Sequence, residues 1–162
     1  MHYFLNLGSN LGNPKLNLSR ALRALEKRFG YFETSKIMES APWGFLSPNR
    51  FANIAVMIVS DKSPEEVLTI CQEIEKELNK SPHRDTKGGY KDRELDIDIM
   101  AADDAVIETE SLRIPHPHLA ERKFFLAPMA ELAPLWRHPV SGKTCEQMLA
   151  ELPEDREDST EA

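Results

Sequence analysis

Two segments of this chain carry the same helix-starting punctuation, and the rest of the fold must accommodate the helices they begin. Asn13 precedes Pro14, and Ser63 precedes Pro64 with Glu66 three places on. Each is an N-cap with proline at the first helical position, and the second is completed as a capping box. After the first, Leu18, Ala21, Leu22, Leu25 and Phe29 recur on one helical face until Gly30 stops the run. After the second, Val67, Cys71, Ile74 and Leu78 form a stripe that ends near Asn79, so Cys71 is expected in the core.

Between and around these helices lie period-two or β-rich stretches: His2 to Leu7, Tyr31 to Met38, Phe51 to Ser60, and RELDIDIM from Arg93 to Met100. The order strand, helix, strand, strand, helix, strand predicts an α+β fold of the ferredoxin-like split βαβ kind. That is an antiparallel sheet with both helices on one face, in a single domain. Beyond it the sequence predicts a short hairpin from residues 105–107 and 112–114, a PHPH loop, a segment at Arg122 to Leu126, and a last helix from Thr144 to Leu152.

A chain of 162 residues suffices for one well-buried core. The expected domain is 1–152, followed by an acidic, disordered tail, 153–162. The tail PEDREDSTEA holds five acids and one arginine, so most of the net charge of −7 sits there. The body is therefore not basic enough for a nucleic-acid groove. Cys71 and Cys145 are 74 positions apart and fit neither a metal motif nor a disulfide framework. No signal peptide and no apolar membrane span is legible, so the expectation is a soluble, cytoplasmic protein.

RELDIDIM raises the chemical question. Leu95, Ile97 and Ile99 alternate with Asp96 and Asp98. Residues two apart on a strand lie about 6.5 to 7 Å apart and point the same way, so the carboxylates can converge on a hard cation. Taken alone, the pair is as compatible with a solvated strand face. Upstream, the stretch from Lys76 to Arg93 has six Lys/Arg against three Asp/Glu, with a glycine pair at Gly88 and Gly89. A basic, mobile loop feeding a carboxylate pair has the parts of a phosphate clamp beside a metal site, and it can equally be a solvated surface loop.

The segment GSNLGN after the first strand lacks both the dinucleotide fingerprint and the ending of a P-loop, so a tight turn into a capped helix explains most of it. His116 and His118 lie in the PHPH loop, without enough partners for a zinc site. Phe51, Asn53 and Phe124 read as strand or core positions. Residue chemistry alone reaches a small enzyme that uses Mg²⁺ to handle a polyphosphate, and it does not reach the acceptor.

The combination of GSNLG, a proline-containing loop followed by Phe51 and Asn53, DRELDID, and PHPHLAERKFFLAP resembles the 6-hydroxymethyl-7,8-dihydropterin pyrophosphokinase family, over about residues 3–150. The resemblance implies a diphosphotransferase of folate (tetrahydrofolate) biosynthesis. It would transfer pyrophosphate from ATP to the pterin hydroxymethyl group and release AMP. It implies two Mg²⁺ ions held by Asp96 and Asp98, with Arg93 and Arg122 as catalytic phosphate contacts. Gln72, Glu75, Lys80 and His116 would join those arginines in binding ATP. Phe51 and Phe124 would sandwich the pterin, Asn53 would read its edge, and the loop at Ser40, Ala41 and Trp43 would add contacts near Asp96. Both substrates are small molecules; no nucleic acid, membrane or obligatory protein partner is implied. This chain has Asn79-Lys80 where members often carry glycine-arginine, and Tyr90 and Asp92 where they often carry tryptophan and proline. The implied second catalytic cation would be one of Lys80, Arg84, Lys87 and Lys91.

Overall fold

The computed structural model describes residues 1–40, 51–79 and 93–153. Strand β1 (His2–Ser9) leads into helix α1 (Pro14–Phe29), followed by β2 (Phe32–Thr34), β3 (Met38–Ser40) and β4 (Phe51–Val59). Helix α2 (Pro64–Leu78), β5 (Asp96–Ala102) and a small hairpin of β6 (Ile107–Glu108) and β7 (Arg113–Ile114) come next. A single 3₁₀ turn (Leu119–Glu121), α3 (Lys123–Leu132) and α4 (Cys145–Ala150) complete the described chain.

The main sheet runs β2-β4-β1-β5, with β3 also paired to β4, and every pairing is antiparallel. This is the split βαβ order expected from the sequence. Both helix starts behave as their residues predict. The Asn13 side chain accepts from the Leu16 N–H, and Ser63 and Glu66 exchange both capping-box bonds.

Period-two alternation sorts the sheet into two faces. Tyr3, Leu5, Leu7, Ile54, Val56, Ile58, Leu95, Ile97 and Ile99 pack against Leu18, Ala21 and Leu25 of α1 and Val67, Ile70, Cys71 and Ile74 of α2. Burying each such side chain contributes about 1.5–3 kcal/mol relative to leaving it in water, so this layer supplies most of the driving force. On the other face Phe4, Met100 and Ala101 pack with Leu119, Phe125, Leu126 and Met129, and with Cys145 and Met148 of α4. A bulge in β5 opposite Phe4 and Leu5 inserts Met100 and turns it toward this second layer.

Three expectations need correction. The stretch from Tyr31 to Met38 is not one strand: it breaks at residues 35–37 into β2 and β3. There the buried Ser35 bonds the Ala55 backbone through both its N–H and its hydroxyl oxygen. The segment at Arg122 to Leu126 is the start of a ten-residue helix, α3, which carries Pro128 in its interior. The last helix is shorter than expected, covering Cys145–Ala150 after its Thr144 cap. The loop at 41–50, the basic segment at 80–92 and the tail from 154 onward lie outside the described residues. Among the described residues no helix is long and apolar enough to cross a membrane.

Candidate active site

The sheet face toward α3 is where the polar residues collect. Across β4, β1 and β5 the register sets Asn53, Gly8 and Asp96 in one row and Ala55, Asn6 and Asp98 in the next. Phe51 lies two residues before Asn53 on the same face, and Phe124 and Phe125 reach over from α3. With Asn6, Gly8 and the two aspartates they line one cleft. Phe51 and Phe124, which strand spacing alone left as core, are thus brought with Asn53 to a single opening with the carboxylate pair.

The details of that cleft follow from small backbone facts. Pro128 has no N–H to give the Phe124 carbonyl one turn earlier, which a helix would otherwise require. The Asn6 side chain, buried on β1, donates to that carbonyl at 3.1 Å instead and fixes the start of α3 over the sheet. Phe124 then meets Phe125 edge to face, with centroids 4.9 Å apart, and the Arg122 guanidinium sits 5.4 Å from the Phe125 ring centre. Arg122 is only 6% exposed, and burial brings its pKa down to about 10. Asn53 is 3% exposed, yet its side-chain amide nitrogen has no hydrogen-bond partner among the described residues. A buried donor without an acceptor is costly, and Asn53 is one of the residues that line the cleft. Gly8 leaves the room: a Cβ added there would lie 2.9 Å from the Asn53 carbonyl oxygen.

The centre of the site is acidic. Asp96 accepts from the Arg93 guanidinium at 3.3 Å, and beside it Glu75 accepts the Ile97 N–H at 2.6 Å. Burial first, then the charges of Asp98 and Glu75, hold the Asp96 pKa well above the ordinary carboxylate range; burial also raises that of Glu75. His116 Nε2 lies 3.7 Å from Asp98 Oδ1. The His118 N–H donates to His116 Nδ1, so in the neutral ring the proton is on Nε2, facing the carboxylate.

Among the described residues, three carboxyls (Glu75, Asp96 and Asp98) gather around one arginine, Arg93. Among the described residues no three His, Cys, Asp or Glu side chains converge into a closed metal cage. The Asp96 and Asp98 carboxylates on one open face are a donor set that suits Mg²⁺, which takes one or two carboxylates and completes its shell with water and phosphate oxygens, better than a structural zinc.

Beyond Asp98 a second cleft opens between β5 and the β6–β7 hairpin. It is lined by Leu68, Ile97, Asp98, Ile99, residues 110–113, His116 and Pro117. The other expected positions are dispersed. Gln72 is exposed on α2 and lines neither cleft, while Glu75 meets the site from behind Asp96. Ser40 pairs through its backbone with Phe51. Ala41, Trp43 and Lys80 lie outside the described residues, as do Arg84, Lys87, Tyr90, Lys91 and Asp92.

Sequence reasoning missed Asn6, Gly8 and Asn10. Asn10 exchanges two backbone-directed bonds with Arg93, at 2.8 and 3.0 Å, so GSNLGN anchors the residue that precedes the carboxylate pair. An asparagine in a turn after a strand was the available signal, but its partner is 83 residues away.

A split βαβ sheet whose polar face joins an aromatic and amide cleft to a carboxylate centre defines a class: an α+β protein with its candidate site on the open face of the sheet. The model of the 7,8-dihydro-6-hydroxymethylpterin-pyrophosphokinase (HPPK) family matches residues 4–134, and the chain belongs to that family. It is accordingly a pyrophosphokinase.

The chain is 40% identical over 138 residues to the 2-amino-4-hydroxy-6-hydroxymethyldihydropteridine pyrophosphokinase of Porphyromonas gingivalis, covering 84% of this chain and 92% of that one. It is 35% identical over 151 residues to the enzyme of the same name from Aquifex aeolicus, with 91% and 90% covered. Among solved structures, an HPPK-DHPS in complex with substrates superposes with a TM-score of 0.71 at 14% identity. It covers 92% of this chain and 42% of that one. The wild-type HPPK-DHPS of Plasmodium falciparum gives 0.70 at 16% identity, covering 93% of this chain and 44% of that one. The chain spans less than half of these longer proteins, and at such identity the likeness establishes the fold.

Proposed function

We propose that this chain transfers pyrophosphate from ATP to the hydroxymethyl oxygen of 6-hydroxymethyl-7,8-dihydropterin, giving the pterin diphosphate and AMP, as a step of folate biosynthesis. One observation carries the reading: Asp98 lines both clefts, so a pterin in one and a nucleotide in the other would meet at the carboxylate pair. Phe51 and Phe124 would flank the pterin ring, a planar surface that aromatic side chains hold by offset or edge contact. Asn53 would offer its unpartnered donor and its carbonyl to the ring edge. From the neighbouring loop, Ser40, Ala41 and Trp43 would complete the pocket.

Asp96 and Asp98 would hold Mg²⁺, with two ions expected; bound there, Mg²⁺ would neutralise polyphosphate charge and make the phosphorus under attack more electrophilic. Arg93, Arg122 and His116 would contact the phosphates, with Lys80 or another cation of that segment closing over them. Leu68, Leu112 and Pro117 would form the apolar walls for the base, and Gln72 and Glu75 would act from α2, Glu75 by supporting Asp96. Among the described residues no strong base lines the cleft. The chain's own contribution is therefore orientation and charge complementarity, which suits a loose phosphoryl-type transition state. The two buried free cysteines are in keeping with a reducing cytoplasm. We assign the activity to 1–152 acting without an obligatory partner.

The deciding measurement is AMP release from ATP and Mg²⁺, with and without the hydroxymethyl-pterin. AMP should form only when the pterin is present; formation at the same rate without it would replace the transferase with a phosphohydrolase. The cleft floor makes a second prediction. Gly8→Ala would push Asn53 out of place, because its new Cβ would be 2.9 Å from Asn53 Oδ1. Pterin affinity should fall by about tenfold or more, with a stability loss of about 1–3 kcal/mol for overpacking. Titration calorimetry giving wild-type affinity would show that Asn53 does not read the ring.

A further inference from the structure

β5 is the outer strand of the sheet and pairs only with β1 in the described residues. Its far side should therefore present bare backbone groups just where the two catalytic-site aspartates begin. It does not. The Asn79 side chain, at the C-terminal cap of α2, donates to the Leu95 carbonyl at 2.8 Å and accepts the Leu95 N–H at 2.9 Å. A primary amide offers a donor and an acceptor side by side, as a backbone residue of a neighbouring strand would. One turn earlier on the same helix, Glu75 takes the next outward N–H, that of Ile97. The Asn79 amide also donates to the Glu75 carbonyl at 2.8 Å, which fixes the clamp to the end of its helix. From the β1 side, Asn10 holds Arg93 through both backbone groups.

We propose that Asn79 is a positioning residue for pyrophosphoryl transfer: its amide stands in for a missing strand at the free edge of β5 and so fixes the backbone from which Arg93 and Asp96 project. The consequence is geometric. Residues 93, 95 and 97 are each held by their backbone, which leaves Asp96 and Asp98 alternating onto the opposite, open face. Arg93 would have to meet the phosphates, and Asp96 the Mg²⁺ it would hold, within a fraction of an ångström, and a displacement of about 1 Å in such a group costs on the order of a hundredfold in rate. Phe51 and Asn53 on β4 and Phe124 on α3, the residues that would contact the pterin ring, are not held by Asn79.

The proposal rests on the transferase reading, and its test separates the two. Asn79→Ala should lower kcat at least tenfold while the pterin dissociation constant stays within twofold, and the Leu95 amide proton should exchange with solvent at least tenfold faster. Asn79→Asp, which keeps the acceptor for the Leu95 N–H, should recover part of both losses; it also serves if the alanine variant folds poorly. A merely structural cap would lower the melting temperature and the folded fraction without changing kcat per folded molecule, and that result would overturn the proposal. So would unchanged Leu95 exchange in Asn79→Ala. Wild-type protein that releases no AMP with pterin would overturn the transferase reading and, with it, the catalytic half of this one. The Leu95 exchange, measured without substrates, still decides whether the clamp exists.

Discussion

Replacing Asp96 or Asp98 by alanine is expected to lower kcat by about a thousandfold or more, the scale of losing several kcal/mol of charge stabilisation at the phosphates. The fold should survive both changes. Each side chain is about a third exposed, and neither belongs to the apolar layer that holds the sheet to α1 and α2. Mg²⁺-dependent affinity for ATP should disappear with the rate, so isothermal titration with and without Mg²⁺ checks the assignment independently of turnover. Near-normal activity in both variants would sink it.

Removing the Asp96 charge also has a pH signature in the metal-free protein. Asp96 binds its proton more tightly folded than unfolded, because burial and the neighbouring Asp98 and Glu75 disfavour its charge. Between the ordinary aspartate value near 3.9 and the raised folded value, the unfolded chain has released this proton and the folded chain has not. Stability from this group is therefore full below about 3.9 and is lost as pH rises through the folded value. Asp96→Asn should flatten that decline, as read from melting temperature against pH.

Phe124→Ala is expected to weaken pterin binding by about tenfold to a hundredfold. The loss combines one face of the ring's apolar contact with an aromatic term of about 0.5–1.5 kcal/mol. Phe124 is also a buried neighbour of Phe125, so the alanine variant should lose about 3–5 kcal/mol of stability. Phe124→Leu is the better probe, since it fills much of the volume and removes the flat surface. Calorimetry should show weaker pterin binding in both, with ATP affinity little changed. Unchanged pterin affinity in Phe124→Leu would remove this ring from the site.

These two variants touch residues of different legibility. Asp96 and Asp98 could be read directly, because strand alternation is a local, period-two property and two carboxylates on one face stand out against β propensity. Phe124 could not. It sits at the start of a helix that Pro128 disguises, and it is aimed by an asparagine 118 positions earlier that satisfies the carbonyl proline leaves free. Likewise the division of residues 31–40 into β2 and β3 is set by Ser35 bonding to Ala55 across the sheet, which no local pattern signals. Family resemblance named Phe51, Asn53 and Phe124 together where periodicity left the two aromatics in the core.

By itself the sequence determined the helix starts, the apolar stripes, the strand order and the shared direction of the two aspartates. All of these depend on residues a few positions apart, whose spacing must match a helix turn or a pleat. Only the tertiary structure decided which groups meet: Asn53 with Gly8 and Phe124 in one cleft, Asn10 with Arg93, Glu75 with Asp96, and Asn79 with Leu95. The reason is physical. Buried donors and acceptors must find partners wherever the packed sheet and helices bring them, and those partners lie tens of residues away along the chain.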